Sequence, residues 1–302
     1  MTVRSLATDV LVVVISGGRP DPAKRKTERF QVDRGLRIIS NNSAGYETPL
    51  PIIDVPPDFR DYYEQHHSLS PFGMTVPLNR SYAIRYAREQ HYRYLVELDD
   101  NIHTFAMTWL DERRGRYYRS FRDITPVMNA LADVLRYTNA GMSGIQLGAL
   151  PPEPYTRILA ERYVYSVLAL DLEVVPYFFG DVEEDIAMRY DLARRRIPVA
   201  QIVPFRYSKI GQKSSGDRSG NRGMYDELGT GRGATMAKVF GEWYSRGESN
   251  LIHNVSRERP RRSTTSQFMH HVKPFRVGLR TSDNTALRDA LTAAFREVED
   301  GS

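Results

Sequence analysis

Six consecutive apolar residues, Val10–Ile15, stop at Gly17-Gly18. An unbroken β-branched run of this length predicts a strand buried on both faces, with the glycines as the turn that closes it. Short apolar runs recur at 36–39, 94–98, 144–150, 163–170 and 199–203 and predict further strands. Between them the pattern takes the period of a helix. Over 123–137, Val127, Leu131, Val134 and Leu135 share one face and Gly141 lies beyond the end. Asn79 is expected to cap a helix running to about residue 90, with Ala83, Tyr86, Ala87 and Gln90 on one side. Residues 183–196 predict a helix with acids in its first turn and Arg189, Arg194, Arg195 and Arg196 toward its end, an order that suits the helix dipole. Helices are also expected at 235–245 and 285–298, whereas 46–77 is rich in Pro and aromatics and gives no clear period. Strands alternating with helices imply an α/β fold, a mostly parallel mixed sheet flanked by helices.

The chain has 302 residues, 41% of them apolar, enough to bury a core without cross-links. It has no cysteine, which excludes a disulfide framework, a thiolate zinc site and a cysteine nucleophile. No apolar run nears the roughly 18 residues that span a bilayer, so the expectation is a cytoplasmic protein with no membrane partner. Charge sharpens the picture. The net charge is +5, but residues 204–280 hold 15 Lys/Arg against 6 Asp/Glu. Such an excess suits a polyanion and is also compatible with an ordinary solvated surface. Within it, 209–233 is rich in Gly, Ser and basic residues and is expected to be a long mobile loop. Lys209, Lys213, Arg218, Arg222, Arg257, Arg259, Arg261 and Arg262 are candidate phosphate contacts. The organisation expected is a core over 1–205 and a basic part over 206–302 packed on it as one domain.

Three stretches carry chemistry. The run at 94–98 leads straight into Asp99-Asp100-Asn101. Acids at the carboxyl end of a strand face the crevice where open α/β sheets bind ligands and can hold a hard cation, although Asp and Asn also cap helices. Asp181, Glu183, Glu184 and Asp185 crowd together after Phe179-Gly180. That suits a metal, a reaction that needs a base or a helix N-terminus. In Ser16-Gly17-Gly18-Arg19 the glycines let a nucleotide approach the backbone and Arg can pair with a phosphate, yet strand-Gly-Gly turns are common. Of the histidines, His253 and the pair His270-His271 lie in the polar C-terminal part, from which a residue can fold back to complete a metal site. Neither a nucleophile elbow nor a P-loop is present.

These pieces fall in a family order. Strand-Gly-Gly, then Leu78-Asn79-Arg80-Ser81-Tyr82, then the strand ending Asp99-Asp100-Asn101, then Glu184-Asp185 resembles the GT-A glycosyltransferases. The helix and strand together look like the TET-associated glycosyltransferases of bacteriophages, linked to sugar transfer onto oxidised 5-methylpyrimidines in DNA. The resemblance spans roughly residues 8–205. It implies a UDP-sugar donor, UDP-glucose by default, with Mn²⁺ or Mg²⁺ held by Asp99 and Asn101, helped by His253. Ser16, Gly17, Gly18, Arg19, Asn79, Arg80, Asp99 and Asp100 would bind the donor. Asp185, or Glu184 in its place, would be the general base, and the acceptor would be 5-hydroxymethylcytosine in DNA, in the host cytoplasm if phage-encoded. One departure stands out: the third position of the family's DxD motif is Asn101, uncharged. Rival readings are another acceptor, a sugar nucleotidylyltransferase, whose glycine signature continues differently, and a non-catalytic basic DNA-binding protein.

Overall fold

The computed structural model describes residues 4–67, 75–111, 115–148, 154–160, 164–180, 184–210, 244–247, 269–272 and 277–301. Within them lie β1 (Val10–Ile15), a 3-10 turn (Lys26–Arg29), β2 (Arg37–Ser40), β3 (Ile52–Asp54), α1 (Pro57–His66), α2 (Thr75–Glu89), β4 (Tyr94–Asp99), β5 (Ile102–Asp111), β6 (Gly115–Phe121) and α3 (Thr125–Tyr137). β7 (Met142–Leu147), β8 (Ile158–Ala160), β9 (Val167–Asp171), α4 (Glu184–Arg194), β10 (Val199–Lys209), β11 (Tyr244–Gly247) and β12 (Met269–Val272) follow, and a last helix, α5 (Asn284–Asp300), ends the chain.

Ten strands form one mixed sheet in the order β3-β2-β1-β4-β9-β7-β10-β5-β6, with β8 on β10. β1, β2, β3, β4, β6, β7 and β10 run one way, and β5, β8 and β9 the other. The sheet is therefore α/β and mostly parallel in strand direction, with helices on both faces. β1 shows why its sequence is unbroken apolar. Val10, Val12 and Val14 enter the core under α3 and α5, while Leu11, Val13 and Ile15 enter the core under α1, α2 and α4. Leu287, Leu291, Ala294, Phe295 and Val298 bury the inner stripe of α5 in the first of these cores, and Asp283 caps the helix by accepting from the Ala286 amide at 2.9 Å.

The structure differs from the sequence expectations at several points. α2 begins at Thr75, so Asn79 lies inside the helix, not at its cap. The segment 46–77 contains β3 and α1, whose first turn starts on Pro57. The β5–β6 hairpin has no counterpart in the expected strands. β10 runs on to Lys209, so the division expected at 205 falls inside a strand and Lys209 is not in a loop. Tyr244 and Ser245 belong to β11, which pairs with β12 in a separate two-stranded sheet, so the helix expected at 235–245 does not include them. The remainder of that helix and the loop at 211–233 lie outside the described residues.

Candidate active site

β2 and β3 lie on one side of β1 and β4 on the other. The chain order thus reverses across β1 and β4, and the crevice beyond their carboxyl ends is where such a sheet binds ligands. Ser16-Gly17-Gly18-Arg19 follows β1 and Asp99-Asp100-Asn101 ends β4, so the topology alone brings two of the three marked stretches together. Gly18 has φ +63° and donates its amide to the Asn42 carbonyl at 2.8 Å, a backbone conformation that suits glycine.

Asp100 fastens the two strand ends. Its Oδ2 accepts from Ser16 Oγ at 2.6 Å, and its Oδ1 pairs with the Arg19 guanidinium. Ser16 Oγ also meets the Tyr46 hydroxyl at 2.8 Å, and that hydroxyl accepts from the Arg19 amide at 3.1 Å. Burial pushes the Asp100 carboxyl up to about 6 against the opposing pull of Arg19 and Ser16. Thr27, in the 3-10 turn, clips the Asp99-Asp100-Asn101 bend from outside. Its Oγ1 donates to the Asp99 carbonyl at 2.5 Å and accepts from the Ile102 amide at 2.9 Å, and its own amide donates to the Asp100 carbonyl at 3.0 Å.

α2 delivers the next two residues from below. Asn79 Nδ2 donates to the Ser16 carbonyl at 2.9 Å and to Asn41 Oδ1 at 3.3 Å. Arg80 is fully buried: Nη1 reaches Glu97 Oε2 at 2.9 Å, Nη2 reaches Asp99 Oδ1 at 2.7 Å, and Nε lies 3.2 Å from Glu184 Oε1. Burial works against the Arg80 charge, but Asp99, Glu97, Glu184 and Asp185 together hold it firmly protonated. Glu97 is pushed up to about 8 by burial, with Arg80 opposing. The second oxygen of Asp99 takes the Lys209 ammonium at 2.6 Å. Burial acts to raise the Asp99 carboxyl, yet Lys209 and Arg80 outweigh it and hold it well below the usual carboxylate range. Ser166, held at φ +62°, supports Asp99 by accepting its amide at 2.8 Å.

The third stretch completes the cluster. Glu184 and Asp185 form the first turn of α4. Burial raises both, and for Asp185, pushed up to about 8, the neighbouring Glu184 charge raises it further. Asp185 Oδ1 accepts the Ile186 amide at 2.8 Å. Glu184 pairs with Arg80, and burial together with the Glu184 charge holds Asp185 toward its protonated form.

All eight donor candidates lie along the strand ends of β1 and β4 or on α2 beneath them, and Glu184 and Asp185 join them through Arg80. Two assignments change in character. Arg80 is enclosed by carboxylates and positions them, with no face turned to a phosphate. Lys209, expected to contact DNA, sits on Asp99. Tyr46, Thr27 and Ser166 carried no motif that would have marked them. Lys213, Arg218, Arg222, Arg257, Arg259, Arg261, Arg262 and His253 lie outside the described residues, as do Asp181 and Glu183.

Of the donor set expected for Mn²⁺ or Mg²⁺, His253 lies outside the described residues, and Asp99 and Asn101 as placed do not make a divalent site. Each Asp99 oxygen already carries a cationic nitrogen at 2.6–2.7 Å, and both Asp100 oxygens are taken by Ser16 and Arg19. Asn101 Oδ1 is buried without a partner. Among the described residues no three His, Asp or Glu side chains converge on one point. No described helix is long and apolar enough to cross a membrane.

No protein-family model matches the chain, and no curated protein matches it. Among solved structures the chain is similar to a protein of Desulfovibrio desulfuricans whose description as a nucleotide-diphospho-sugar transferase is itself an assignment. The identity is 13%, the match covers 74% of this chain and 96% of that one, and the TM-score is 0.33. At that score the functional reading rests on the geometry of the site.

Proposed function

We propose that the protein transfers a sugar from a nucleotide-diphospho-sugar to an acceptor hydroxyl. The observation that supports this reading is the convergence, at a switch-point crevice, of a glycine-bearing strand end and an acid-bearing helix start. Ser16, Arg19 and Asp100 stand on one side and Asp185 on the other, joined by the buried bridge Asp99–Arg80–Glu184. A donor lying over Gly17 and Gly18 would present its anomeric carbon between the two. Asp185, in its ionised form, takes the proton of the acceptor hydroxyl as its oxygen attacks that carbon, because an alcohol is a poor nucleophile until it is deprotonated. The bond from the sugar to the diphosphate breaks, and its electron pair leaves with the diphosphate.

The proposed donor is a UDP-sugar, with UDP-glucose first, and the proposed acceptor is 5-hydroxymethylcytosine in DNA. Both choices rest on the resemblance at 78–101. The excess of basic residues over 204–280 adds support for DNA, since phosphate neutralisation dominates such binding.

The test incubates the protein with UDP-glucose and matched oligonucleotides carrying cytosine, 5-methylcytosine, 5-hydroxymethylcytosine or 5-hydroxymethyluracil, with EDTA and separately with Mn²⁺, and weighs the products. A hexose on the 5-hydroxymethylcytosine strand alone, or on it ahead of 5-hydroxymethyluracil, is expected. A hexose on unmodified cytosine DNA overturns the acceptor. Transfer to a small sugar and to no DNA overturns the DNA branch and leaves the transferase. No consumption of any nucleotide sugar with any acceptor overturns the transferase itself.

A further inference from the structure

We propose that Lys209 is the cation that meets the diphosphate of the donor and stabilises it as it leaves, at the strand end where a divalent metal would otherwise be held. This rests on the transferase reading above. Four observations lead to it. The first is placement. β10 pairs with β5 in simple antiparallel register from Phe205↔Met107 to Ser208↔Thr104, and then Lys209 pairs with Ile102, skipping His103. Such an irregularity re-aims a side chain and recurs beside active sites. The Ile210 amide donates to the Asn101 carbonyl at 3.1 Å, so the backbone around Lys209 is tied directly to the acidic bend.

The second observation is the state of Asp99. With Arg80 on one oxygen and Lys209 on the other, it is an anchor for two cations, and a metal could use it only by displacing Lys209. The third is the contrast between those cations. The Arg80 side chain is 2% exposed and enclosed by acids, whereas that of Lys209 is 30% exposed. An ammonium has three donors, and Asp99 occupies one of them. Lys209 therefore offers a fixed positive charge with open hydrogen-bonding capacity. The fourth is Arg19, buried on Asp100 at the neighbouring strand end with its Nε unpartnered. Two cations are thus each fixed by one acid of the Asp99-Asp100 pair, at the paired ends of β1 and β4 where the diphosphate would lie.

When the bond from the anomeric carbon to the diphosphate oxygen breaks, the electron pair stays on that oxygen. The fixed ammonium offsets the charge that develops there without reorganising. The acceptor oxygen forms the new bond to carbon and its proton passes to Asp185, so no metal is needed to balance the step.

The experiment measures UDP and uridine binding by calorimetry in EDTA and again in Mn²⁺, for the native protein and for Lys209→Ala, Lys209→Arg and Asp99→Asn. The native protein should bind UDP in EDTA, and Lys209→Ala should weaken UDP roughly 10- to 100-fold while leaving uridine unchanged, the loss expected for a charge-assisted contact to phosphate. Mn²⁺ should not restore it, and Lys209→Arg should keep most of it. Asp99→Asn removes the anchor of the lysine and should weaken UDP less than Lys209→Ala does, to the same extent in EDTA and in Mn²⁺. If UDP binds only with Mn²⁺ and Asp99→Asn abolishes that binding, the lysine proposal is overturned while the nucleotide-binding reading stands. If neither UDP nor any other nucleoside diphosphate binds under either condition, both fall.

Discussion

Two arginine-centred ion clusters sit at opposite ends of β1, and they are built differently. At the amino end, Arg136 on α3 reaches both oxygens of Asp9 at 2.9 Å and also pairs with Asp133, which takes Arg4 at 3.1 Å on its other oxygen. Glu297 on α5 adds a third acid beside Arg4 and Asp133, and its buried Oε2 lacks a hydrogen-bond partner. At the carboxyl end, Arg80 and Lys209 face Glu97, Asp99, Glu184 and Asp185. Glu97 Oε1, Asn79 Oδ1, Asn101 Oδ1 and Arg19 Nε are buried without hydrogen bonds, and Arg80 Nε approaches Glu184 without hydrogen-bond alignment. The amino-end cluster is nearly closed, with one such open atom against those four at the carboxyl end. Each unsatisfied buried group costs about 1–3 kcal/mol, and a buried cluster that bears several such costs is a candidate functional site.

Removing the hub of the open cluster should have the largest effect. Arg80→Met leaves Glu97, Asp99 and Glu184 buried without their shared cation, and the expected loss is about 3–5 kcal/mol in urea unfolding. Arg80→Lys should recover part of it, one contact in place of three. A loss below about 1 kcal/mol for Arg80→Met would remove the distinction between the clusters.

Asp185→Asn tests the chemistry of the same cluster. It should cost about 10²–10⁴-fold in turnover, leave UDP affinity within a few-fold and not lower stability, since it removes one of the surplus acids. A fall in stability with turnover intact would make Asp185 structural, like Asp133.

How far this contrast was legible in the sequence depends on what each residue answers to. In the parallel half β1 and β4 followed from their apolar runs because both are buried on both faces, with Glu97 as the one charged break in β4, whereas β3 and α1 in the Pro- and aromatic-rich segment did not. Nor did the β5–β6 hairpin, since its residues serve an edge, where the exposed Tyr118 and Ser120 alternate with partly covered neighbours on a face that no core demands. The acids at 99–101 and 184–185 were visible because charge beside apolar runs is conspicuous. The partners of those acids were not. Asn79 looked like a cap because its side chain serves caps well, yet it is spent on the end of β1. Lys209 is one basic residue among many until strand pairing sets it against Asp99. Long-range pairing across 110 positions has no local signature.

The clusters should also separate by pH. Glu97 and Asp185 are raised to about 8 and Asp100 to about 6, so between their unfolded values near 4 and pH 8 the folded protein holds more protons than the unfolded chain. Their contribution to stability is therefore fully present below about pH 4 and is lost as pH rises through the folded values. Asp99 is shifted the other way, and its contribution is lost only in strong acid. Urea unfolding at pH 5.5 should exceed that at pH 8.5 by on the order of a few kcal/mol. Glu97→Gln should flatten the slope. A stability that rises between those values would mean that the carboxylates are ionised and compensated within the fold.

The smallest effect belongs to the amino-end cluster. Arg136 is 28% exposed, its guanidinium lies over the Tyr94 ring at 5.1 Å, and its partner Asp9 is more exposed still. Water and salt screen such a pair, and the aliphatic stem keeps part of its packing when the charge is removed. Arg136→Gln should thus cost about 1 kcal/mol, less in high salt, with turnover and UDP affinity unchanged, as read by urea unfolding at two ionic strengths beside the transfer assay. Arg4 remains on Asp133, so the buried acid is not stranded. That is why this loss should be a fraction of the loss at Arg80, where the carboxylates share a single buried arginine. If turnover falls with Arg136→Gln while the fold holds, the two ends of β1 are coupled through the strand. The amino-end cluster would then set the position of Ser16 and Arg19.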